Sequence, residues 1–96
     1  MKGYCLFDCL QISDGEDFEA YKKQVVPLVE KYEGQYIING GRITPVEGEW
    51  KPNFLVMIEF PSYEKAMTWY NSPAYATLKQ ARFAFCVSNG IIIEGK

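Results

Sequence analysis

The chain has 96 residues, 48% hydrophobic and 23% charged, with a formal net charge of −2. That length allows a single domain, residues 1–96, whose core hides about 65% of the surface of the unfolded chain. The charge excludes a nucleic-acid binder, because no basic run exceeds Lys22-Lys23 and counterion displacement needs a basic stripe.

The N-terminus, Met1-Lys2-Gly3-Tyr4-Cys5, enters a strand pattern directly and carries neither the apolar run nor the cleavage site of a signal peptide. No apolar run is long enough to span a bilayer, so no membrane is expected. The three cysteines, an odd number, fit a reducing cytoplasm. Cys5 and Cys9 on one strand would lie about 13 Å apart, too far for a disulfide.

In chain order, Gly3 to Ile12 alternates as a strand, with Tyr4, Leu6, Asp8 and Leu10 on one face and Cys5, Phe7 and Cys9 on the other. Ser13-Asp14-Gly15-Glu16 reads as a capping box with Ser13 as N-cap. Phe18, Tyr21, Val25, Leu28 and Tyr32 then form one helical stripe, within which Pro27 should kink or interrupt the helix and after which Gly34 is a left-handed cap. A second strand runs from Gln35 through Asn39, bulges at Gly40-Gly41 and resumes from Arg42 to Val46. A loop around Trp50 leads to a third strand, Phe54 to Phe60. Ser62 caps a second helix, and Asn71-Ser72-Pro73 breaks it and restarts it, with Ser72 as N-cap and Pro73 at the first helical position. The restarted helix carries Tyr75, Leu78 and Arg82 as its stripe, and a final strand covers Ser88 to Glu94.

Strand, helix, strand, strand, broken helix, strand is the α+β order of a ferredoxin-like βαββαβ domain. Right-handed crossovers place its antiparallel four-stranded sheet in the order 4-1-3-2 with helices on one face. The uncovered face should then be polar. Instead Leu55 and Met57 oppose Phe54, Val56 and Ile58, and Ile91 and Ile93 oppose Ile92. A sheet apolar on both faces predicts a second copy packed sheet to sheet, a homodimer.

With no histidine, the chain has no Ser-His-Asp or Cys-His nucleophile and no proximal haem histidine. No Cys-x-x-Cys, Walker or dinucleotide motif is present, so neither metal nor cofactor is expected. The candidate proton-transfer groups are Glu59 and Asp8. A hairpin centred near Trp50-Lys51 would set Arg42 opposite Glu59. That pair reads either as a register-fixing salt bridge or as an acid or base beside an anion-binding arginine. Trp69, Tyr70 and Tyr75 surround the helix break. They read either as core or as the wall of a ligand cleft, to which Asn39, Ser72, Tyr21 and Trp50 would add polar edges.

The stretches Gly40-Gly41-Arg42, Glu47-Gly48-Glu49-Trp50-Lys51-Pro52, Glu59-Phe60-Pro61-Ser62-Tyr63-Glu64-Lys65-Ala66 and Trp69-Tyr70-Asn71-Ser72-Pro73-Ala74-Tyr75 resemble domain-of-unknown-function family 1330 of the dimeric α+β barrel superfamily. The resemblance spans almost the whole chain and implies a ferredoxin-like protomer and a homodimer. It transfers no catalytic residue. The wider superfamily includes cofactor-free monooxygenases, lactone isomerases and haem enzymes. The first expectation is a small-molecule-binding homodimer of the cytoplasm. In its catalytic form it is a cofactor-independent monooxygenase- or isomerase-like enzyme, acting on an aromatic or enolisable compound between sheet and helices. The alternative is a non-catalytic binding or scaffold dimer.

Overall fold

The computed structural model describes residues 1–96. The elements are β1 (Gly3–Ile12), α1 (Gly15–Lys31), β2 (Gln35–Asn39), β3 (Phe54–Phe60), α2 (Tyr63–Tyr70), α3 (Pro73–Phe85) and β4 (Cys86–Glu94). The antiparallel sheet runs β2-β3-β1-β4, which is the predicted 4-1-3-2 order. The molecule is only 17 Å through its thinnest dimension, the depth of one sheet and one helical layer.

Register sorts the side chains. Across β3, β1 and β4 the rows Ile58–Cys5–Ile92 and Phe54–Cys9–Ser88 alternate with Glu59–Tyr4–Ile93, Met57–Leu6–Ile91 and Leu55–Asp8–Asn89. Residues directly opposite share a face. Cys5, Phe7, Ile58 and Phe60 are buried beneath the helices, where they meet Val25, Val29, Ala66 and Trp69, and Cys9 is buried against Phe85 and Cys86. On the other face Ile91 and Ile93 are 54% and 50% exposed, so the second apolar face is real and, around β4, uncovered within the protomer.

Helix ends follow local chemistry. The N-cap of α1 is Asp14, not Ser13: Asp14 Oδ1 accepts the Glu16 and Asp17 backbone N–H groups at 3.0 and 3.2 Å. The Ser13 hydroxyl donates instead to the Phe85 carbonyl, which ties β1 to the end of α3. α1 runs unbroken through Pro27, contrary to the expected interruption. Pro27 and Lys23 are both exposed, so water can take up the carbonyl that the proline leaves unpaired. The left-handed residue closing α1 is Glu33 (φ 68), one position before the expected Gly34. Its N–H donates to the Glu30 carbonyl and that of Gly34 to the Val29 carbonyl, a Schellman closure. The break between α2 and α3 is as expected: Ser62 caps α2, Ser72 caps α3 and Pro73 opens α3.

β2 does not resume after its glycines. Gly40 and Gly41 adopt φ of 77 and 96, which turns the chain out of the sheet, and residues 42–46 form no strand. β4 begins at Cys86, two residues before the expected start, across a β1 irregularity at Leu10.

Gly3, at the head of β1, sits against the start of α2. A Cβ there would lie 2.5 Å from the Ser62 carbonyl oxygen and 2.6 Å from Tyr63 Cα, both backbone atoms that cannot rotate away. Gly3→Ala is expected to cost about 1–3 kcal/mol, the range for overpacking. Urea unfolding measures it, and a loss below about 0.5 kcal/mol would mean that α2 docks loosely on β1.

Candidate functional site

A cavity of about 50 Å³ lies between α1 and the sheet. Phe7, Val56 and Ile58 form its floor, Phe18, Val25 and Val26 its roof, and Trp69 and Arg82 reach it from α2 and α3. Half-buried Lys22 and exposed Asn39 stand at its mouth. Each position follows from the local pattern: alternate residues of β1 and β3 face the helices, and the α1 stripe faces the sheet.

Behind this cavity is an aromatic stack. The rings of Trp69 and Tyr75 lie 4.4 Å apart at 29°, and Phe60 is 5.6 Å from Trp69. The Tyr21 and Tyr75 hydroxyls are hydrogen-bonded at 2.7 Å, bridging α1 to α3. Burial pushes the Tyr21, Tyr36 and Tyr75 phenols well up, and it pushes the Cys9 thiol to about 12. These groups are protonated at neutral pH. They donate hydrogen bonds and do not serve as bases.

Arg82 is the most unusual member. It is only 5% exposed, yet none of the ion pairs, Lys2–Glu59, Lys22–Glu19 and Lys65–Glu33, includes it. One Nη1–H donates to Ser88 Oγ at 2.8 Å, and the guanidinium lies 5.0 Å from the Phe7 ring centre. Its Nε–H has no acceptor in the protein, and neither does Trp69 Nε1–H, the other such buried side-chain group. Both residues line the same cavity. Burial lowers the Arg82 pKa, the nearby Tyr75 and Tyr21 phenols raise it, and the balance is upward. The guanidinium therefore stays charged, and the phenols, neutral at pH 7, give it no counter-charge.

The structure gathers only some of the predicted site residues. Tyr21, Trp69 and Asn39 line the cavity and Tyr75 lies directly behind it. Ser72 is committed to the helix break, donating to the Trp69 carbonyl and accepting from Tyr75 N–H. Tyr70 turns to a shallow groove with Met67 and Ile92, with the Lys79 ammonium 4.1 Å from its ring centre.

The remaining candidates are elsewhere. Glu59 and Asp8 lie on the face away from the helices, so neither carboxylate reaches the cavity in which a proton-transfer group was expected. The Arg42–Glu59 pair does not form: Glu59 stands opposite Gln35 and Tyr4 and pairs with Lys2 at 3.2 Å, while Arg42 is exposed in the long loop. That loop folds back over the outer face. There the Trp50 indole N–H donates to Asp8 Oδ2 at 2.9 Å, and the Asn53 N–H approaches Oδ1 at 3.4 Å. Arg82 was not among the sequence candidates, although a charged residue seven positions after Tyr75, on the stripe with Leu78, is the signal that marks it.

The match to known families decides the relationship. The family model described as Domain of unknown function (DUF1330) matches residues 2–96. The chain belongs to the DUF1330 family. No curated protein matches it. Among solved structures, this DUF1330 chain is similar to the RPA0582 protein of unknown function from Rhodopseudomonas palustris, at 17% identity and a TM-score of 0.74, covering 99% of this chain and 82% of that one. It is also similar to SnoaB, a cofactor-independent oxygenase from Streptomyces nogalater, at 14% identity and TM-score 0.56, covering 99% and 91%. A third is a dimeric protein of unknown function with a ferredoxin-like fold from Bacteroides fragilis, at 15% identity and TM-score 0.56, covering 98% and 94%. At these identities the likeness is one of fold, and that fold is the ferredoxin-like α+β architecture.

The buried acids of the DUF1330 protomer predict an alkaline limit to its stability. Cys5 and Cys9 rise from 9.0 to about 12, mainly by burial, and three tyrosines rise with them. The unfolded chain releases these protons near pH 9–10 while the folded chain keeps them. Their contribution is therefore intact below about pH 9 and is lost as pH climbs toward 12, with a slope of about 1.4 kcal/mol per pH unit for each group ionised only when unfolded. Urea midpoints from pH 8 to 11 should fall steeply. A flat profile would mean that the thiols and phenols ionise in place.

Proposed function

We propose that this DUF1330 protein is a homodimeric small-molecule-binding protein of the cytoplasm, whose ligand enters between α1 and the sheet and whose outer sheet face is covered by a second copy. The observation that carries the reading is the cavity itself: an aromatic and aliphatic wall with a few convergent polar groups, including two N–H donors that no protein atom satisfies. At about 50 Å³ it has room for a small polar head group or a few waters. A larger body therefore extends toward the mouth at Lys22 and Asn39, lifting α1. The half-exposed isoleucines of the outer face and the dimeric relative of the same fold support the assembly. The free, buried cysteines support the compartment.

In its catalytic form the proposal is a cofactor-independent enzyme acting on an aromatic or enolisable compound, and the oxygenase of similar fold supports that range of chemistry. The ionisable groups around the cavity favour binding over general-base catalysis. They are protonated phenols, a protonated thiol and two cations, and the carboxylates Glu59 and Asp8 are on the opposite face. The scaffold alternative draws on the small size of the cavity.

A thermal-shift screen of small aromatic acids, phenols and their neutral isosteres tests the reading. A ligand at 100 times its dissociation constant is expected to stabilise by about 2.7 kcal/mol. Val26→Phe, which puts a ring into the cavity roof, should abolish the shift in a folded protein. If no compound shifts the wild type, or if Val26→Phe leaves the shifts intact, the cavity is not the site.

A further inference from the structure

We infer that the group received by this cavity is an anionic oxygen, a carboxylate on a flat apolar body, held by Arg82 and the Trp69 indole. The inference rests on the reading of the cavity as the ligand site and specifies what that ligand must carry.

A guanidinium offers five N–H donors and no acceptor, and it does not deprotonate to escape burial. Arg82 is 5% exposed, and Ser88 Oγ accepts one of its bonds. An isolated buried charge is costly unless it is paired, and Arg is the side chain whose planar fork matches a carboxylate. The rings of Phe7 and Phe83, 5.0 and 5.2 Å from the guanidinium, soften the cost through their π faces but accept no N–H bond along its plane.

The second orphan donor makes the pattern specific. Trp69 Nε1–H lacks a partner, its residue lines the same cavity, and its ring stacks on Tyr75, which itself neighbours Arg82. The Tyr21–Tyr75 hydroxyl pair spends one proton internally and retains another. The inner wall of the cavity is thus rich in donors, carries a positive charge and has no carboxylate. Its complement is a negatively charged, acceptor-only group. The aromatic wall selects a flat apolar body behind that group, and Lys22 at the mouth adds attraction for an entering anion.

Benzoate is the probe, with benzamide and benzyl alcohol as neutral isosteres and sodium sulfate as an inorganic anion at matched ionic strength. Binding is read by calorimetry and thermal shift on the full chain. Benzoate should bind wild type at least tenfold more tightly than either neutral isostere, and sulfate should not compete with it. Arg82→Met should abolish that preference while keeping weak binding of the neutral compounds, and its ligand-free melting temperature should equal or exceed that of wild type. Trp69→Phe, which keeps a ring and removes the N–H, should weaken benzoate severalfold with little change for benzyl alcohol. Equal binding of benzoate and its isosteres, or an Arg82→Met variant that keeps the preference, would overturn the inference and leave the cavity reading standing. Failure of every compound, benzyl alcohol included, would overturn both. A collapse of the ligand-free Arg82→Met fold would make Arg82 a structural cation and remove the inference.

Discussion

Trp69→Ala is expected to lose about 3–5 kcal/mol of stability, the range for emptying a buried aromatic site. In a chain of this length that lowers the thermal midpoint by tens of degrees, against a total stability of about 5–15 kcal/mol for a typical domain. Trp69 is 1% exposed and joins three consecutive elements: its ring packs on Phe60 at the end of β3, Tyr70 beside it on α2, and Tyr75 on α3. No flexible neighbour stands ready to fill the space, because Phe60 and Tyr75 are themselves fully buried. Trp69→Phe should cost far less, since it preserves the ring contacts and deletes an N–H that the protein leaves unsatisfied. Chemical denaturation of both variants decides the matter. A Trp69→Ala loss under about 1 kcal/mol would show that the α2–α3 junction is not the centre of the core.

Leu6→Glu should convert the protein from twice the 11.0 kDa protomer mass to a single protomer. Leu6 lies mid-strand on the outer face, with Met57 and Ile91 directly opposite on either side. In a two-fold assembly the substitution enters the seam twice, and each copy places a carboxylate beside the apolar Met57 and Ile91. A cost of about 4 kcal/mol raises the dissociation constant about a thousandfold. The helix-facing core is untouched, so the separated protomer should keep its circular dichroism and its benzoate response. Light scattering at micromolar concentration reads the mass. A Leu6→Glu protein with unchanged mass would mean that the outer face is not the seam.

The parts of the fold legible in the sequence are those that periodicity controls. The strand alternation of β1 and β3, the stripe of α1 and the Ser72-Pro73 restart all depend on neighbours within a few residues, and the sheet order follows from handedness. What the sequence hid depends on register and on long loops. Pairing Arg42 with Glu59 assumed a hairpin centred at Trp50-Lys51. Observed partners such as Asn39↔Val56 and Gln35↔Glu59 centre it at residues 47–48, because β2 stops at the positive-φ glycines and carries an irregularity at Ile37. The Trp50–Asp8 bond joins residues 42 positions apart, and no local pattern encodes it. Ser13 reads as an N-cap because its hydroxyl partner, the Phe85 carbonyl, is 72 positions away and leaves no local signal.

The site was half legible. Trp69 is legible because aromatic residues beside a helix break are conspicuous, and Tyr21 because it is a phenol on the apolar stripe of α1. Glu59 and Asp8 were drawn in because carboxylates on apolar strands look functional, but one residue of strand phase decides which face they occupy. Arg82 was hidden in plain view as a member of a helical stripe. Only burial and the count of satisfied N–H groups separate a snorkelling arginine from an uncompensated one.

The two indole N–H groups supply the most direct test of the central claim, because the chain has only two tryptophans and they report opposite faces of the sheet. In a nitrogen–proton correlation spectrum titrated with benzoate, the Trp69 indole resonance should move downfield and saturate together with the Arg82 Nε–H, while the Trp50 indole stays fixed on Asp8. A Trp50 resonance that moves while Trp69 and Arg82 stay still would place the ligand on the outer face and contradict the account.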